Sequence, residues 1–137
     1  MAGSNKRGNG STQLVIDRVA QVRAALLNLH RALIAYERIE YERLHGRVES
    51  SGEMLKLVTH DPWFAWLRPM SETIVLLDEF LDQDDETAPE DGLVIIGELR
   101  ALIGAGQDSE FRRRYQAALQ RDPDVVIEHG RLVKALA

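Results

Sequence analysis

The chain has 137 residues, 45% of them apolar and 28% charged, with 10 Gly, 4 Pro and no cysteine. That length suits one domain with one core, and the missing cysteines exclude disulfide scaffolds, thiolate zinc sites, iron–sulfur clusters and cysteine nucleophiles. The net charge of −5 is uneven, with nine Lys and Arg against six Asp and Glu in residues 1–60 and eight against sixteen in residues 61–137, a balance that argues against nucleic-acid binding. No apolar run approaches the roughly 18 residues needed to span a bilayer. No apolar signal segment follows the N-terminus either, so a soluble, cytoplasmic protein without a membrane role is expected.

Residues 1–12 are Gly, Ser, Asn and basic residues with almost nothing to bury, and they read as a disordered tail outside a helical domain of residues 13–137. From Gln13 to Glu49, Val15, Val19, Val22, Leu26, Leu29, Leu33 and Tyr36 recur at alternating spacings of four and three, a heptad seam. The pattern predicts one helix of about 37 residues, roughly 55 Å long. Ser50, Ser51 and Gly52 make a turn, and Met54, Leu55, Leu57 and Val58 form a short second helix.

Asp61 before Pro62 is the arrangement of an N-cap ahead of a proline at the first helical position. A third helix therefore starts there, with the stripe Trp63, Leu67, Met70, Ile74, Leu77 and Leu81 and a kink at Pro69. Asp82 to Asp91 is an acidic, solvated loop. Leu93 to Ile103 is apolar on most sides and suits a buried helix, although Leu93 to Ile96 alone would also suit a buried strand. Gly104 to Gly106 ends that element. Ser109 caps a fifth helix carrying Phe111, Tyr115, Ala118 and Leu119, and Asp122 with Pro123 opens a sixth carrying Val125, His129, Leu132 and Leu136. The expected fold is an all-α bundle in which the long first helix packs antiparallel against two shorter consecutive helices, followed by three C-terminal helices. A fold-back through the turn at Ser50 pairs residues whose numbers sum to about 102.

Three candidate sites follow. The fold-back brings Glu40, His45 and His60 to one level, and these could hold a single metal ion, since His and carboxylates suit Zn, Fe or Mn. Glu42-Arg43-Leu44-His45 is one Glu-x-x-His spacing, whereas di-metal bundles use two, and the chain has no second. The plainer expectation is an exposed or Arg-paired Glu40. Trp63, Phe64 and Trp66 concentrate three of the eight aromatics and cannot all face one way on a helix. They divide between core packing, a partner surface and a ligand pocket beside Arg68. His129 interrupts an apolar stripe, which makes it a hydrogen-bonded core histidine or, functionally, a metal or haem ligand or a proton-transfer group.

His30 falls off the seam and is expected in solvent. Arg112, Arg113 and Arg114 fan over about 200° of helix surface rather than forming one patch. No residue stands out as catalytic: Ser71 lacks a glycine elbow and any sequence cue to a base, and no phosphate-binding loop is present. No cofactor is named by any motif. Two functions remain. One is a helical assembly protein that self-associates or binds a protein partner through the long helix and the aromatic cluster, since that helix exceeds the roughly 30 opposing residues available. The other is a small-ligand or metal protein, with an oxidoreductase as one form of it, built on Trp63, Trp66, His129 and the Glu40, His45, His60 group.

Overall fold

The computed structural model describes residues 2–83, 88–104, 106 and 108–137, with the side chains of residues 2–9 outside the description. Among the described residues there are six α-helices, one 3-10 helix and no strand, so the all-α bundle expected from the sequence is the fold.

The first helix, α1 (Ala2–His45), is organised by the heptad seam: Val19, Val22, Leu26, Leu29 and Leu33 are fully buried and Tyr36 nearly so. The helix extends N-terminally past Gln13 to Ala2, and the expected tail of residues 1–12 falls largely among side chains outside the description. Its C-terminal end comes earlier than the expected Glu49. Gly46 takes φ +87°, the left-handed conformation that glycine adopts without a Cβ penalty, and its amide still bonds Glu42 O at 3.0 Å. The reversal is then pinned from α1 itself. Glu42 accepts the Val48 amide at 2.8 Å and Arg38 donates to Val48 O at 3.1 Å, which places Val48 in the buried core.

Ser50 caps α2 (Ser51–His60) by accepting the Glu53 amide at 3.1 Å. This helix buries no residue fully. Its Met54, Leu57 and Val58 rest half-buried against the core, where it packs on the 3-10 segment that follows. Asp61 caps that segment, Pro62–Leu67, through the Trp63 amide at 2.8 Å. The kink expected at Pro69 is instead a change of helix type. The tight 3-10 turn hands over to α3 (Arg68–Asp82), and Pro69 sits in the first turn of α3, where a missing N–H and a fixed φ are tolerated.

The 3-10 segment and α3 return antiparallel along α1. Cross-helix pairs obey the predicted register: Arg23 with Asp78, His30 with Ser71 and Glu37 with Trp66 have numbers that sum to 101, 101 and 103. Pro89 opens α4 (Pro89–Ile103), so residues 93–96 are helical, and residues 84–87 of the expected loop lie outside the described residues. This helix is one-sided rather than buried all round. Ile96, Leu99 and Ile103 are buried, while Leu93 and Val94 are 47% and 58% exposed. Gly92 permits the crossing of α4 on α3, because a Cβ there would stand 2.8 Å from the Phe80 ring. The last two helices, α5 (Glu110–Arg121) and α6 (Pro123–Leu136), complete the bundle. α6 packs along α1 more extensively than any other element, and α3 and α4 cover α1 elsewhere.

Candidate functional site

The sharp turn between α5 and α6 brings a phenol and an imidazole together. Ser109 caps α5 by accepting the Arg112 amide at 3.0 Å, and Asp122 caps α6 by accepting the Asp124 and Val125 amides at 2.8 and 3.3 Å. Those caps turn Phe111, Tyr115 and Ala118 inward from α5 and Val125, Leu132 and Leu136 inward from α6. Tyr115 and His129 then meet, hydroxyl to Nδ1, at 2.5 Å. Burial raises the Tyr115 pKa well above the usual phenol range, against a smaller opposing effect of Arg112, so the hydroxyl is neutral. Burial also lowers the His129 pKa, and the nearby Arg112 cation lowers it further, so the imidazole is neutral at pH 7. The Tyr115 contact occupies Nδ1, so Nε2 is the ring nitrogen left to face a ligand, and it carries the proton in the tautomer in which Tyr115 donates to Nδ1.

His129 lines a cavity of about 620 Å³ between the end of α4, α5 and α6. Ile103, Leu119, Val133 and Leu136 supply apolar wall, and Arg100 and Arg112 bring two guanidinium groups to it. Both guanidiniums are held by helix ends. Arg112 donates to Ile103 O at 2.6 Å and to Gln116 at 3.1 Å, while Arg100 and Arg18 both donate to Leu136 O. The last carbonyls of α4 and α6 have no partner within their own helices, so these bonds satisfy them and fix the cations in place. Among the described residues neither Arg100 nor Arg112 pairs with a carboxylate. The cavity therefore combines greasy walls, two guanidiniums that form no ion pair among the described residues, and a neutral imidazole, with Ala137 at its edge.

The other nominated residues are placed elsewhere. Trp66 is a core residue: it is buried, lies 5.5 Å from the Phe111 ring and donates Nε1–H to Glu37 at 3.2 Å. Trp63 is half-buried against Tyr41 and His45, with its Nε1 enclosed and without a hydrogen-bond partner among the described residues. Neither tryptophan lines the cavity that holds His129, so the three nominated ligand-binding residues do not form one site. The metal group is not assembled either. Glu40 pairs with Arg43 at 3.4 Å, His45 lies tilted against Tyr41 with ring centroids 4.5 Å apart, and His60 is exposed at the end of α2. Among the described residues no group of three or more His, Asp or Glu side chains is placed to hold a metal ion.

Three functional groups escaped the sequence reading. Glu37 is 5% exposed, a carboxylate inside the core; it lies four residues after Leu33, where a wider stripe would have exposed it as an interruption. Arg112 was grouped with Arg113 and Arg114, yet the three diverge: Arg112 reaches Ile103, Arg113 pairs with Asp108 at 2.8 Å, and Arg114 acts on Glu37. His30 is half-buried rather than solvated, with Nε2 2.8 Å from Ser71 Oγ. Comparison with protein-family models, with curated proteins and with solved structures gave no match to this chain, so its geometry carries the functional reading.

Proposed function

We propose that the protein binds a small, mainly apolar molecule with an acidic head group in the cavity between α4, α5 and α6. The observation that carries this reading is the pair of guanidiniums without a carboxylate partner among the described residues, set in an apolar cavity of about 620 Å³ beside the neutral His129. That volume lies within the roughly 300–1,000 Å³ of small-molecule sites, whose few polar groups fix orientation within greasy walls. Arg100 and Arg112 attract the head group, His129 Nε2–H donates to it, and the walls desolvate the tail. The oxidoreductase variant drew on Glu40, His45 and His60 together with the tryptophans and His129; among the described residues no such group is placed to hold a metal ion and the tryptophans lie outside this cavity, so the proposal is one of binding. A medium-chain carboxylate such as octanoate is expected to raise the melting temperature in a dose-dependent way, whereas octanol at equal concentration raises it far less. Equal responses to acid and alcohol would remove the head-group recognition.

A second reading, self-association or capture of a protein partner, is favoured by one surface. Ile39 on α1 and Val126 and Ile127 on α6 are each about half exposed, and Ile39 and Ile127 flank the same shallow depression with Ala32 and Ala35. A second copy laid on this ridge would bury them. Native mass spectrometry is expected to show a dimer that Ile127→Glu returns to monomer; a monomer at every concentration refutes self-association. We place the protein in the cytoplasm as part of the same reading, since a cysteine-free chain needs no oxidising compartment. No helix among the described residues is long and apolar enough to cross a membrane.

A further inference from the structure

Between α1 and α3, away from the His129 cavity, a serine and a histidine stand side by side. Ser71 Oγ lies 2.8 Å from His30 Nε2 and 3.3 Å from Leu67 O, so the imidazole is the nearer partner of the hydroxyl. Ser71 also lines a second cavity, of about 230 Å³, whose walls include Val58, Phe64 and Ala65. Arg68 lines the same cavity. It sits three residues before Ser71 on α3, so the two side chains share a helix face. Among the described residues Arg68 has neither an ion pair nor a hydrogen bond. A nucleophile and an exposed cation thus line one small cavity, whose walls also include Thr59, and a base stands in hydrogen-bond contact with the nucleophile from α1 behind it.

We propose that Ser71, His30 and Arg68 form an acyl-transfer site that cleaves short-chain carboxylic esters. Ser71 Oγ attacks the ester carbonyl carbon and its proton passes to His30 Nε2. The oxyanion that develops on the carbonyl oxygen is met by the Arg68 guanidinium. The bond to the leaving alkoxide then breaks, and His30 returns the proton to that oxygen. Water completes the cycle: it gives a proton to His30, attacks the acyl group on Ser71, and Ser71 Oγ leaves with the proton restored. The carboxylic acid is released, and no oxidant or metal enters the balance. Burial lowers the His30 pKa below its usual value, so the ring is neutral and able to accept a proton at pH 7. No carboxylate bonds the other ring nitrogen among the described residues, which makes this a dyad and favours activated esters. The cavity volume favours acetyl and butyryl over longer chains.

The test uses the full chain with p-nitrophenyl acetate, following nitrophenolate release, intact mass and the modified peptide. The expected result is one acetyl group per chain, mapped to Ser71. The rate should rise with pH through a histidine titration below the ordinary value. Ser71→Ala should remove the adduct, and as alanine is the best helix former it should leave the far-ultraviolet dichroism intact. His30→Gln should slow acylation by about a hundredfold or more, the scale of a lost general base. Arg68→Ala should lower the maximal rate without moving the pH profile, and Arg68→Lys should restore part of it. Release that is equally fast in folded Ser71→Ala, acetyl groups found only on other residues, or no acylation of the native chain would each overturn the assignment.

Discussion

Replacing Trp66 by alanine is expected to destabilise the fold by about 3–5 kcal/mol, the range for deleting a buried tryptophan. The ring fills the space between α1 and α5 beside Phe111, and its Nε1–H is the hydrogen bond that Glu37 receives inside the core. Trp66→Phe isolates the second effect, because it keeps most of the ring and strands the carboxylate. The expected cost is about 1–3 kcal/mol for an unsatisfied buried acceptor. Adding Glu37→Leu to Trp66→Phe should recover most of that loss, since replacing both members of a buried polar pair by apolar groups is often neutral.

The pH dependence of the same site has a definite sign. Burial raises the Glu37 pKa and Glu40 raises it further, while the Trp66 hydrogen bond and Arg114 oppose them. The folded chain therefore holds this proton more tightly than the unfolded chain. Stability falls as pH rises from the ordinary glutamate value through the raised folded value, and it is level above that. Glu37→Gln should remove this fall in urea titrations across that window, and an unchanged slope would place the effect on another group.

Arg112→Gln is expected to weaken carboxylate binding by about ten- to a hundredfold, the scale of one charge-assisted hydrogen bond at roughly 1.4 kcal/mol per factor of ten. The substitution keeps a side-chain donor for Ile103 O and removes the charge. It should also raise the His129 pKa part of the way toward its ordinary value, because the Arg112 charge is the smaller of the two causes that lower it and burial remains. His129 and His30 share a sign: each has a lowered pKa, so their contribution to stability is present above the unfolded histidine value and is lost as pH falls below it. Arg112→Gln should narrow that acidic loss for His129 alone. An affinity unchanged within a factor of two would remove Arg112 from head-group recognition.

The parts of this fold that depend on local rules were legible in the sequence. The seam from Val19 to Tyr36 is buried as its spacing required, and the caps expected at Asp61, Ser109 and Asp122 all form. The fold-back register held to within one residue, as the Arg23, His30 and Glu37 pairs show. Backbone choices that depend on competition were not. Pro69 is compatible both with a kink and with a new first turn, and local rules do not choose between them; here it stands in the first turn of α3. The candidate site was less legible than the fold. His129 was found because it interrupts an apolar stripe, but its partner Tyr115 sits in another helix and looks like ordinary core. Arg100 and Arg112 matter through the helix ends they reach, which a side chain's type and spacing do not encode. The His30 and Ser71 contact was implicit in the register rule, yet the hydrophobic seam alone pointed His30 to solvent.

The most direct test of the binding proposal is a titration of the His129 imidazole by nuclear magnetic resonance, in free protein and with saturating octanoate. A bound carboxylate beside the ring favours the imidazolium, so the pKa should rise from its depressed value, with proton uptake and tighter binding as pH falls. Octanol should leave the pKa where it is or lower it. A His129 titration unmoved by octanoate, or moved equally by octanol, would contradict an anion site at this cavity.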